Sequence, residues 1–193
     1  MDLRFFQRRR AAGDAARALY ERAVVQARQP VFYASFGVPD SLDGRFDMVA
    51  LHVFLLLHRL KQEGKTAARL AQCLFDVMFD DMDESLRELG AGDLGVGRRV
   101  KAMAKALYGR LAAYQAGLAS DDRELAAALA RNLFGTTKAR EDQLAAFCAY
   151  LRREAAALGG QPYAELRAGR VRFGPGPPPP GAGRTEASRE GGD

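Results

Sequence analysis

Residues 43–60 read DGRFDMVALHVFLLLHRL, and from Met48 to Leu57 every residue but His52 is apolar. A helix that is apolar all the way round has no wet face and has to be buried. A membrane span needs ~20 apolar residues, and this run is too short for one. Arg45 and Asp47 close one end, and Arg59 and Lys61 close the other. The stretch reads as the central helix of a helical domain, with the rest of the chain packed around it.

The flanking segments carry the same period. Upstream, Ala16, Leu19, Tyr20, Ala23 and Ala27 recur at helical spacing over 12–28, and Pro30 stops that helix. Downstream, Leu70, Leu74, Val77, Met78, Met82, Leu86 and Leu89 form one stripe, widened by Phe75 and Phe79. Gly90 is expected to cap that helix. Val100, Met103, Leu107, Leu111, Tyr114 and Leu118 form the next stripe, from Arg98 onward. Ser120 then caps a helix holding Leu125, Leu129 and Leu133, and Thr137 opens another holding Leu144, Phe147, Cys148, Leu151 and Leu158. The expected fold is all-α, a single domain of about six to seven helices around the buried one. Residues 1–10 are expected to be a flexible N-terminus and 11–168 the helical domain. Residues 169–193 hold GPGPPPPGAG and few apolar side chains, which predicts a disordered Gly/Pro-rich tail.

Hydrophobic residues make up 48% of the 193 and charged residues 27%, enough to build a sizeable core. The net charge of +5 suits an acidic partner, a nucleic acid or an anionic membrane surface. Two distant cysteines, Cys73 and Cys148, without a CxxC, predict buried thiols in a reducing compartment. MDLRFFQRRR has no apolar h-region, so a bacterial-type cytoplasm is expected.

No catalytic constellation emerges. Gly90, Gly92, Gly95 and Gly97 spell GxGxxGxG, but a phosphate cradle of that kind follows a strand, and this one follows a helix. His52 and His58 stand about 120° apart on a helix, which excludes the i,i+4 geometry of a shared metal. His52 reads as a hydrogen-bonded core residue. Asp76, Asp80, Asp81, Asp83 and Glu84 follow one another on a helix without the loop that wraps a hard cation. No cofactor, metal site or GxSxG is read from the chain.

Two segments stand out as contact surfaces. Between Pro30 and Gly44 lie Phe32, Tyr33, Phe36 and Val38, followed by Asp43, Arg45 and Phe46. Such aromatics either lid the core or expose an apolar patch rimmed by charge. Arg98, Arg99, Lys101, Lys105 and Arg110 form a basic side without an acid among them. It either pairs with the acidic helix before it or meets phosphate.

LDGRFDMVALHVFLLLHRLK, followed by LFDVMFDDMDESLRELGAGDLGVGRRVKAMAKALYGRLAAY, resembles the ubiquinol–cytochrome c chaperone family. The likeness runs from about Tyr33 to Tyr150 and is most specific between Asp80 and Arg110. It implies an all-helical, non-enzymatic assembly factor for the cytochrome bc1 complex that binds newly made cytochrome b beside a second assembly factor. It implies a place in the cytoplasm, peripheral at the inner membrane. On that reading Phe32, Tyr33, Phe36, Val38, Asp43, Arg45 and Phe46 form part of the client groove. Arg98, Arg99, Lys101, Lys105 and Arg110 face the anionic membrane or the client's loops. The alternative is a basic helical nucleic-acid-binding module, whose binding would fall steeply with salt; nucleic acid is the less expected partner.

Overall fold

The computed structural model describes the backbone of residues 3–88, 93–135 and 137–178, and the side chains of 10–85, 87–88, 104–135 and 137–178. Among these residues there are eight α-helices and no strand. Six are long: α1 (Leu3–Ala27), α3 (Leu42–Lys61), α4 (Ala68–Glu88), α5 (Asp93–Ala119), α6 (Asp122–Leu133) and α7 (Glu141–Gly159). Two, α2 (Pro30–Ala34) and α8 (Tyr163–Arg167), are single short turns.

The all-apolar run forms α3, and α3 touches α1, α4, α5, α6 and α7. Its residues from Met48 to Leu56 are all buried, His52 included. The stripes of the other helices turn toward it: Leu70, Leu74 and Met78 from α4, Leu107 and Tyr114 from α5, Leu125 and Leu129 from α6, Phe147 and Leu151 from α7. Cys148 is buried, and burial pushes its thiol up to about 11. Cys73 is half-buried.

Helix boundaries differ from the expectation at several capping points. α6 is capped by Asp121, not Ser120: its carboxylate accepts from the Glu124 N–H at 2.9 Å. An Asp in extended backbone just before the first turn serves that N–H, and its charge suits the dipole. α7 opens at Glu141, not Thr137, with the Arg140 N–H donating to Gln143 Oε1 at 2.9 Å. α5 starts at Asp93, so Gly95 and Gly97 lie inside a helix rather than in a connecting loop. Gly90, Gly92 and Leu89 fall outside what is described, as do the side chains of Leu86, Val100 and Met103.

The segment after α8 was expected to begin a disordered tail. Residues 169–178 instead form an extended strap laid on the helices. Val171 and Pro177 are buried, and Phe173 stacks edge-on against His52 with ring centroids 5.6 Å apart. The strap backbone completes a buried polar network. The His52 ring bonds Met48 O through Nδ1 (2.8 Å) and the Tyr150 hydroxyl through Nε2 (2.7 Å). Gln26 donates to that hydroxyl at 3.0 Å and to Gly174 O at 2.8 Å. The Gly174 N–H donates to Glu154 Oε2 at 2.8 Å, and the Gly176 N–H to Gln29 Oε1 at 3.2 Å. Glycine is required at both places. A Cβ on Gly174 would stand 2.6 Å from Glu154 Oε1, and one on Gly176 would stand 2.6 Å from Val31 Cγ1. Residues 179–193 lie outside the described residues.

Candidate functional site

The aromatic segment 30–44 divides when folded. α2 turns Phe32 inward, where its ring meets Phe147 (5.8 Å), Tyr150 (5.4 Å) and His52 (5.6 Å). Phe36 packs edge-on against Phe147 at 5.1 Å, and Val38 is buried beside them. These three expected contact residues are core, closed off from water, because α2 and the turn after it lay Phe32 and Phe36 against Phe147 of α7. Tyr33, Asp43, Arg45 and Phe46 stay at the surface or half-buried. Tyr33 donates its hydroxyl to Ala27 O at 2.9 Å, and burial raises its pKa.

Gly44 makes this junction possible. A Cβ there would lie 2.0 Å from Pro39 O, so the loop can fold back onto the first turn of α3 only over glycine. Ser41 caps that turn by accepting from the Gly44 N–H at 3.2 Å. The turn then presents Leu42, Asp43, Arg45 and Phe46 beside α1 and α4.

What results is a groove made of two adjoining clefts that share Arg28 and Arg45. The narrower, of about 170 Å³, lies between α1, α3 and α4, with Phe46, Val49, Met78 and Met82 beneath it and Leu42 at its mouth. Tyr20, Arg28, Asp43, Arg45 and Asp81 rim it. The wider, of about 700 Å³, runs on along Pro30, Tyr33, Ala34 and Asp40. Rim charges are matched. Arg45 donates to Asp40 Oδ1 at 2.6 Å, which holds the Asp40 carboxyl below its usual range. Tyr20 donates to Asp81 Oδ2 at 2.7 Å, and its phenol is raised by burial and then by that carboxylate. Leu42 is 51% exposed at the groove mouth.

Met78, Met82, Leu42, Val49, Tyr20, Arg28 and Asp81 were not singled out in the sequence as contact residues. The methionines lie in a stripe whose period says "inward", and period cannot tell a packed floor from an open one. The signal available was Leu42, a large apolar side chain at the first helical position.

Behind the groove, Arg110 of α5 faces Asp47 of α3 across 2.9 Å, and its guanidinium lies 5.9 Å over the Phe46 ring. Burial pushes the Asp47 carboxyl up to about 6, against the lowering by Arg110. Arg110 is thus spent inside the fold and does not belong to an open basic face. Lys105 is exposed. Arg98, Arg99 and Lys101 have side chains outside the described residues. No helix of the described residues is long and apolar enough to cross a membrane.

Fold and groove together define the class: an all-helical domain whose described surface carries a groove between α1, α3 and α4 with apolar and charged lining. The chain belongs to the ubiquinol-cytochrome C chaperone family, whose family model matches residues 34–173. It is 29% identical over 140 residues to ubiquinol-cytochrome-c reductase complex assembly factor 1 of Xenopus laevis, covering 72% of this chain and 70% of that protein. It is 30% identical over 123 residues to the mitochondrial protein CBP3 of Saccharomyces cerevisiae, covering 62% of this chain and 36% of that one. The chain spans about half the length of the mouse and human assembly factors, 48% and 47%. The crystal structure of the Cbp3 homolog from Brucella abortus superposes with a TM-score of 0.78 at 41% identity, covering 91% of this chain and 97% of that one.

Proposed function

We propose that this chain acts, without catalysis, as an assembly chaperone for the ubiquinol–cytochrome c reductase (bc1) complex. It binds newly made cytochrome b through the α1–α3–α4 groove, at the surface of the inner membrane. Family membership supports the assembly role. The observation that carries the site is the groove in which exposed Leu42 and half-buried Phe46 lie over buried Val49, Met78 and Met82, inside a rim of charge. Apolar side chains left open within a polar rim suit contact with an apolar segment. A membrane protein waiting for its partners offers such segments.

The test is client capture. A strain deleted for the gene is complemented with the intact chain or with the Leu42→Asp/Phe46→Ser variant, and cytochrome b co-purified with the tagged chain is measured. The double variant should capture at least tenfold less cytochrome b and fail to restore the cytochrome b and c1 bands of reduced membranes, while still unfolding cooperatively at a melting temperature lowered by the loss of the Phe46 packing. Full capture by a folded double variant would exclude the groove.

A further inference from the structure

A second cavity, of about 280 Å³, lies on another part of the surface, where α1, the end of α8 and the strap meet. Three arginines line it: Arg22 from α1, and Arg170 and Arg172 from the strap. One carboxylate accompanies them. Glu165 accepts from Arg170 twice, at 2.6 and 3.0 Å. Arg22 and Arg172 have no ion-pair partner among the described residues. The cavity thus gathers three guanidinium charges against the single carboxylate of Glu165, which feels both Arg170 and Arg172.

Their convergence is built, not incidental. Gly169 turns the chain out of α8 with φ +76 and lies so close to α1 that a Cβ would stand 2.9 Å from Ala18 Cβ. Ala18 is one helical turn before Arg22, so this approach delivers the strap to that arginine. Next, Gln161 clamps Arg172 by its backbone: the Arg172 N–H donates to Gln161 Oε1 at 3.0 Å, and Gln161 Nε2 donates to Arg172 O at 2.7 Å. Arg59 of α3 in turn donates to Gln161 O at 2.9 Å. The Arg172 backbone is fixed, and its guanidinium acts on Glu165 through charge without closing an ion pair among the described residues.

We propose that this cavity is an anion site that takes a phosphate group, free or as the headgroup of a lipid. Guanidinium forks match phosphate oxygens with paired N–H donors, and the bonds are charge-assisted. A phosphate dianion would neutralise the excess of guanidinium charge over the Glu165 carboxylate and tie the strap to α1. The site is separate from the client groove and does not depend on it.

The experiment titrates the labelled full chain with inorganic phosphate and follows Gly169, Arg170 and Arg172 by NMR. Saturable shifts centred there are expected, and Arg22→Gln/Arg172→Gln should weaken them at least tenfold. Arg131→Gln, an exposed arginine on α6, should leave them unchanged. Co-sedimentation with phosphatidylcholine vesicles, with and without phosphatidic acid, separates the sources. Binding to the acidic vesicles that needs both arginines and is competed by phosphate identifies the lipid headgroup. Phosphate saturation without vesicle binding identifies a soluble phosphate. Shifts that do not saturate, or that ignore the double variant, overturn the proposal.

Discussion

Arg110 and Asp47 meet 2.9 Å apart between α5 and α3, both largely shielded from water. Asp47 Oδ1 has no well-aligned hydrogen bond there, so the attraction is mainly charge to charge. The pair joins the helix behind the groove to the helix that forms its wall.

Removing Arg110 leaves Asp47 shielded and alone. Arg110→Ala should destabilise the fold by about 2 kcal/mol, somewhat less than the cost of breaking a fully buried pair. Urea unfolding checks this. Because burial raises the folded pKa of Asp47 to about 6, its neutral form favours the native state. That contribution is full below the ordinary carboxylate pKa and is lost as pH rises through about 6. The Arg110→Ala defect should therefore shrink at pH 4 and grow at pH 7.

His52 acts in the opposite direction. Burial lowers its pKa to about 4, so the native state holds it neutral while the unfolded chain takes up a proton near the ordinary value of ~6.5. The stability it contributes is present above that value and is lost as pH falls through about 4. The fall in stability between these limits should be shallower in His52→Gln than in the native chain. Equal slopes in acid unfolding would mean that His52 titrates normally.

Phe32→Ser and Phe36→Ser should each cost about 3–5 kcal/mol, the range for deleting a buried ring. Leu42→Asp should stay within about 0.5 kcal/mol, as exposed substitutions do. Thermal unfolding of the three variants separates core from groove.

Gly174→Ala should loosen the strap. Its Cβ would meet Glu154 Oε1 at 2.6 Å and drive the N–H off that carboxylate. A loss of about 1–2 kcal/mol is expected. Faster hydrogen exchange at 174–176 and faster tryptic cleavage at Arg170 and Arg172, with the α3 amides unchanged, would show that the strap opens by itself.

The sequence by itself determined that α3 is buried, that the chain is all-helical, and which face of α4, α6 and α7 turns inward. These are local facts: an apolar run without a wet side, or a stripe at helical spacing, has one stable disposition whatever surrounds it. The reading of His52 as a satisfied core histidine rested on the same logic, and the structure supplies its partners, Met48 O and the Tyr150 hydroxyl. Tertiary structure alone decided the rest. Phe32 and Phe36 are core because α7 brings Phe147 and Tyr150 to them from over a hundred residues away, and Val38 is buried with them. Arg110 is paired because α3 places Asp47 opposite it. The strap is ordered through 178 although its composition is that of a loose tail. Its hold joins buried Val171, Pro177 and the Phe173 ring to backbone groups fitted to Gln26, Gln29 and Glu154, and that fit depends on how α1, α2 and α7 are placed together.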